Sequence, residues 1–109
     1  MKRGEIWSIS GAPGYGSKSR PALIVQSDTL SATQSVITCG ITSVDVEDVP
    51  FRASVGPTTD NGLHVPSAVM VEKLLAVPRS KLGKRIGELS SEDMTRVEQA
   101  MLLVLGFAG

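Results

Sequence analysis

Gly14-Tyr15-Gly16-Ser17-Lys18-Ser19-Arg20-Pro21-Ala22-Leu23-Ile24-Val25-Gln26 passes from a glycine-rich loop straight into an unbroken apolar run. Residues 10–19 hold three glycines, one proline and three serines, a composition that predicts a flexible loop. Residues 21–26 predict a buried strand, with Pro21 at its first position, where no ladder donor is needed. Arg20 therefore has its root on a rigid element and a loop at its side. Its planar fork suits a phosphate or a pentacovalent phosphorane. The bland alternative is an ion pair with a loop acid at the barrel mouth.

Residues 5–9, with Ile6, Trp7 and Ile9, predict an earlier strand. A polar, Ser/Thr-rich stretch over 28–35 precedes a strand over 36–42. Residues 51–55 alternate, with Phe51, Ala53 and Val55 on one face and Arg52 and Ser54 on the other. Residues 56–62 supply turn chemistry, Asn61-Gly62 most clearly. Residues 67–77 predict a central strand, 78–83 a single helical turn ending at glycine, and 85–89 a short final strand. The helix comes last. Ser90 followed by Asp93 resembles a capping box with Asp in place of Glu, and Glu92 and Asp93 suit the positive end of the helix dipole. Met94, Val97, Met101, Val104 and Leu105 recur at helical spacing as core or dimer-interface packing, and Gly106 is a natural stop. The expectation is a mainly β fold of one domain over residues 1–109: about six short strands in a small barrel or strongly bent sheet, covered by a C-terminal helix.

The 109 residues suffice for one modest core. Eleven basic residues balance eleven acidic ones, which argues against coating nucleic acid by bulk charge. Local asymmetry remains, with Lys2, Arg3, Lys18 and Arg20 near the start and Arg79, Lys81, Lys84 and Arg85 later. The acids gather at Asp45, Glu47 and Asp48 and again over 88–98. The single cysteine, Cys39, lies in an apolar run and reads as a buried structural thiol. Neither a secretory signal nor a membrane span is legible, so a cytoplasmic location without membrane contact is expected.

Familiar catalytic signatures are missing. His64 and Cys39 are the one histidine and the one cysteine, too far apart in sequence for paired metal-ligand spacing, so neither metal nor cofactor is expected. Phosphate-cradling GxxxxGK[ST] and GxSxG are also missing. His64 follows Asn61-Gly62-Leu63 and reads as an exposed loop histidine before it reads as a catalyst. Thr42-Ser43 ends a strand, where hydroxyls either donate to a phosphate oxygen or merely close a turn.

Met1-Lys2-Arg3-Gly4-Glu5-Ile6-Trp7, Ser19-Arg20-Pro21-Ala22-Leu23-Ile24-Val25-Gln26, Gly40-Ile41-Thr42-Ser43, Asn61-Gly62-Leu63 and Arg85-Ile86-Gly87-Glu88-Leu89, followed by an acid-capped helix, resemble in this order the MazF/PemK (Kid) toxin family. The resemblance spans essentially the whole chain. It implies an SH3-like, PemK-type barrel that forms a homodimer and cuts single-stranded RNA, mRNA or tRNA, at short sequence motifs. It also implies control by a cognate antitoxin whose disordered tail occupies the RNA groove. Arg20 and Thr42 fall on the family's catalytic arginine and threonine. Substrate contacts are expected from Tyr15, by stacking on a base, and from Lys18, Ser19, Ser43, Glu72 and Lys73.

The chemistry needs little apparatus. A 2′-hydroxyl attacks the neighbouring phosphate, leaving a cyclic phosphate and a free 5′-hydroxyl. Arg20 would stabilise the added negative charge and Thr42 would donate to the same oxygens. Proton removal by a guanidinium is implausible, so positioning and relay through water are expected to matter. Two departures stand out. The first loop offers no acid or histidine, and Met70-Val71-Glu72 occupies the place of the PemK/Kid branch's Arg-x-Asp. Glu72 is then either a proton acceptor or, by preference, a partner that orients Arg20. Against the ribonuclease stands a non-enzymatic toxin of the same fold that binds a protein target, as the CcdB gyrase poison does. An adaptor that has lost activity is a third and weaker reading. Neither needs the Arg20/Thr42 pair.

Overall fold

Leu23, Val25, Cys39, Ile41, Ala53, Val55, Val69 and Val71 share one apolar cluster, and their alternation along the chain is what makes the strands. The computed structural model describes residues 1–10, 19–43 and 49–108. Its strands are β1 (Glu5–Ile9), β2 (Arg20–Ile24), β3 (Ser35–Thr42), β4 (Arg52–Val55), β5 (Ser67–Pro78) and β6 (Leu82–Glu88), and helix α1 (Ser91–Val104) follows. They form one antiparallel sheet in the order β4-β5-β3-β2-β1-β6. The mainly β architecture with a C-terminal helix is the expected one.

β4 and β6 are the edges of this open sheet, and the loop after β4 bridges them. The Glu88 amide donates to the Asp60 carbonyl at 2.9 Å. A Cβ on Gly87 would lie 2.4 Å from the Asp60 oxygen, so only glycine lets β6 approach that loop. The loop is built on Asn61, which is 1% exposed. Its Oδ1 accepts from the amides of Thr58 (3.0 Å) and Leu63 (2.9 Å), and its Nδ2 donates to the Gly56 carbonyl at 2.8 Å. Gly62 follows at φ +69°, in the left-handed region that glycine enters without strain.

Apolar groups lie on both faces of the sheet. Ile6 and Leu23 pack with Met94, Val97 and Ala100 of α1 on one side. Ile9, Ala22 and Val77, with Leu75 and Leu82, form a smaller cluster. Ala22 and Leu23 are adjacent in β2 and so point to opposite faces. Each fully buried aliphatic side chain of this kind is worth about 1.5–3 kcal/mol. Cys39 is buried and unpaired as expected, and burial, helped by the Glu72 carboxylate, pushes its thiol up to about 12.

Three details differ from the sequence reading. The turn after β5 is a short 3-10 segment, Arg79–Lys81, and β6 already begins at Leu82. Gly83 does not stop a helix. It lets β6 lie against β1, where a Cβ would sit 2.5 Å from Ser8 Oγ and that oxygen accepts from the Lys84 amide. Leu105 lies outside the buried stripe: it caps α1 and is 49% exposed. The helix start is as expected, Ser90 Oγ accepting from the Asp93 amide at 3.1 Å. Its end is a Schellman motif: Gly106 (φ +80°) donates to Leu103, and Phe107 to Leu102.

Candidate active site

Ala22 faces Gly40 in the β2–β3 ladder. The ladder ends there, and the same register carried two residues further would set Arg20, the first residue of β2, against Thr42, the last of β3. Both then lie on the face of Ala22, and cross-strand neighbours of this kind have Cβ atoms about 5 Å apart. Thr42 in turn faces Ala68 of β5, and Arg20 faces Ile9 of β1. The pair therefore sits mid-sheet, held by strands on both sides.

β5 bends beside it. Cys39 pairs with Leu74, but Ile41 pairs with Val69, so residues 70–73 stand opposite Gly40 alone. Such a bulge re-aims side chains. Here Met70, Lys73 and Leu74 line an open groove of about 830 Å³ together with Arg20, Thr42 and Ser43. The far wall is the Asn61 loop, contributing Gly62, Leu63, His64 and Val65, with Ile86 of β6 beneath.

The groove brings together four of the expected site residues: Arg20, Thr42, Ser43 and Lys73. Tyr15 and Lys18 lie outside the described residues. Ser19 is exposed and does not line the groove. Glu72 requires a correction. Its carboxylate takes Arg52, not Arg20: Arg52 Nε lies 2.8 Å and Nη2 2.7 Å from Oε2. These hydrogen bonds hold the Arg52 guanidinium above its ordinary range. The cause is the sheet register, since Arg52 faces Met70 across β4–β5 and Glu72 is two residues beyond. A pattern read along a single strand cannot see that neighbour.

His64 is an exposed loop histidine, as the sequence suggests, and it lines the groove. Its one visible signal was its place directly after Asn61-Gly62-Leu63. The apolar lining by Leu63, Val65, Met70 and Leu74 carried no sequence signal at all.

The groove's charged lining, among the described residues, is cationic: Arg20 and Lys73, neither in an ion pair there. Other basic residues are engaged, Arg3 with Glu98 and Arg85 with Glu5. No group of three or more potential metal ligands occurs among the described residues, and no helix is long and apolar enough to cross a membrane.

An antiparallel sheet, a C-terminal helix and a groove whose charged lining is cationic define a small β protein of one recognisable class. The chain belongs to the PemK-like, MazF-like toxins of type II toxin–antitoxin systems, a family that matches residues 2–105. It is 39% identical over 109 residues, all of both chains, to a probable endoribonuclease MazF of Mycolicibacterium smegmatis. It is 30% identical to endoribonuclease MazF9 of Mycobacterium tuberculosis, covering 96% of each chain. Its fold is shared with a mycobacterial endoribonuclease solved in complex with its cognate antitoxin: TM-score 0.84, 24% identity, 100% and 98% of the two chains covered.

Proposed function

We propose that this protein is an endoribonuclease toxin that cuts single-stranded RNA without a metal, through attack of a 2′-hydroxyl on the adjacent phosphate. The observation that carries this reading is the Arg20–Thr42 pair in one cationic groove. The toxin family and the relatives named as endoribonucleases support it.

Arg20 is placed to receive the scissile phosphate. Its fixed charge stabilises the phosphorane as negative charge builds on the equatorial oxygens. Thr42, one strand away, donates its hydroxyl to the same oxygens. Lys73 and Ser43 hold the flanking backbone, and the apolar wall of Leu63, Val65 and Leu74 offers bases a surface to rest on. The products are a 2′,3′-cyclic phosphate and a 5′-hydroxyl. Preference for a short sequence, on mRNA or tRNA, then follows from the shape of this groove.

A cognate antitoxin is the expected inhibitor, since a mycobacterial endoribonuclease of this fold forms a complex with its own antitoxin. A second copy of the chain is the expected partner at the end of α1, where Leu102, Leu103, Leu105 and Phe107 are 42–78% exposed. The site of action is the cytoplasm.

Incubation of the purified protein with a long RNA in excess chelator tests the proposal. It predicts discrete fragments bearing cyclic phosphate and 5′-hydroxyl ends. Intact RNA, or fragments with 5′-phosphates, would overturn it. The reading as a protein-binding toxin gains from neither the charged groove nor the pair.

A further inference from the structure

The cleavage step needs a proton acceptor for the attacking 2′-hydroxyl, and few groups lining the groove have the chemistry for it. Arg20 and Lys73 carry donors only and offer no acceptor atom for a proton. The hydroxyls of Thr42 and Ser43 are not bases. Glu72, the carboxylate that the sequence offered for this task, is consumed by Arg52 and does not line the groove. Among the described residues, His64 is the remaining titratable group there.

Its placement is well supported. The loop that carries it is tied internally by Asn61, which bonds Gly56, Thr58 and Leu63, and externally by the Glu88–Asp60 hydrogen bond to β6. The Gly62 amide adds a bond to the Thr58 carbonyl at 3.2 Å. His64, two residues beyond Gly62, thus starts from a backbone fixed to the sheet, and its ring remains exposed to a ligand in the groove. A base held on rigid scaffolding opposite a charge-stabilising arginine is the arrangement that general base catalysis requires.

We propose that His64 is the general base of RNA cleavage, taking the proton of the attacking 2′-hydroxyl from the wall of the groove opposite Arg20 and Thr42. This rests on the reading of the groove as an RNA-cleaving site. The neutral imidazole accepts the 2′-hydroxyl proton as the 2′-oxygen bonds to phosphorus. The phosphorus–5′-oxygen bond then breaks, and the departing oxygen takes a proton from water. The charged groups that face the ring across the groove are Arg20 of β2 and Lys73 of β5. β3 presents only hydroxyls and Ile41, β6 presents Ile86, and Asp60 shares the loop.

The test is the single-turnover cleavage rate of wild type, His64→Ala and Arg20→Ala as a function of pH, with affinity measured separately on a 2′-deoxy-substituted RNA. The wild-type rate should rise with pH, as catalysis by a general base requires. His64→Ala should lose about a hundredfold or more in rate and lose that rise. It should keep its affinity and its melting temperature, and recover part of its rate when imidazole is added. A His64→Ala variant that keeps the wild-type rate and pH profile, or that loses only affinity, overturns the assignment. Arg20→Ala separates the two ideas: if it is dead while His64→Ala is active, only the base is wrong. A wild type that leaves RNA intact at every pH overturns both.

Discussion

Arg20 and Thr42 lie far apart in the chain, yet both line one groove from the ends of β2 and β3, two residues beyond the last pair of the β2–β3 ladder, Ala22 with Gly40. The relationship follows from register alone, and a one-residue slip would put either side chain on the opposite face. In the proposed mechanism Thr42 acts as a hydrogen-bond donor. Thr42→Val keeps the shape and the strand preference but removes the hydroxyl. It should lower single-turnover cleavage by about ten- to a hundredfold while leaving RNA affinity nearly unchanged. Rate and affinity measured side by side check this.

Glu72 should matter little to catalysis. Its partner is Arg52, and both side chains are 27% exposed. Glu72→Gln is therefore expected to leave the cleavage rate at the wild-type level and to cost at most about 1 kcal/mol of stability. Denaturant titration and the cleavage assay together check both halves.

The Asn61 loop is the groove's weak point. Gly87→Ala pushes a Cβ into the Asp60 and Asn61 backbone, and Asn61→Ala strands the Thr58 and Leu63 amides. Each unsatisfied buried group costs about 1–3 kcal/mol, so Asn61→Ala should destabilise by roughly that amount or more. Both variants should lose cleavage beyond what their folded fraction explains, because the wall bearing His64 moves. Melting curves and the specific activity of the folded fraction are the readouts.

Glu5 sets an acid limit. Burial raises its carboxyl, but hydrogen bonds from Arg85, the Lys2 amide and Trp7 outweigh this and hold it below its ordinary value of 4.5. A carboxylate lowered in the folded state stabilises the protein above its unfolded value and loses that contribution as pH falls through the folded one. The stability advantage of wild type over Glu5→Gln should be full at neutral pH and shrink below about pH 4. Denaturant melts at pH 7 and pH 3 measure it.

Much of the fold was legible because its strands are apolar runs bounded by glycine-, proline- and serine-rich stretches and its helix carries both a serine cap and a glycine stop. Arg20 stood out through local chemistry, a guanidinium where a glycine loop meets a rigid strand. Thr42 had no such signal, because its meaning comes from a strand pairing that the chain order does not display. The same blindness misassigned Glu72, whose partner lies on the next strand. His64 is the exposed loop residue that the sequence suggests, and what the sequence does not display is that Gly87 and Asp60 dock its loop against β6 beside the groove.

The central claim is that Arg20 drives metal-free RNA cleavage in this groove. Its most direct test is the single-turnover rate of wild type and Arg20→Ala on one long RNA in excess chelator, with the melting temperature of each. Arg20 is exposed, so the variant should fold and melt like the wild type. It should cut at least about a hundredfold more slowly. An Arg20→Ala protein that cuts RNA at the wild-type rate would contradict the account.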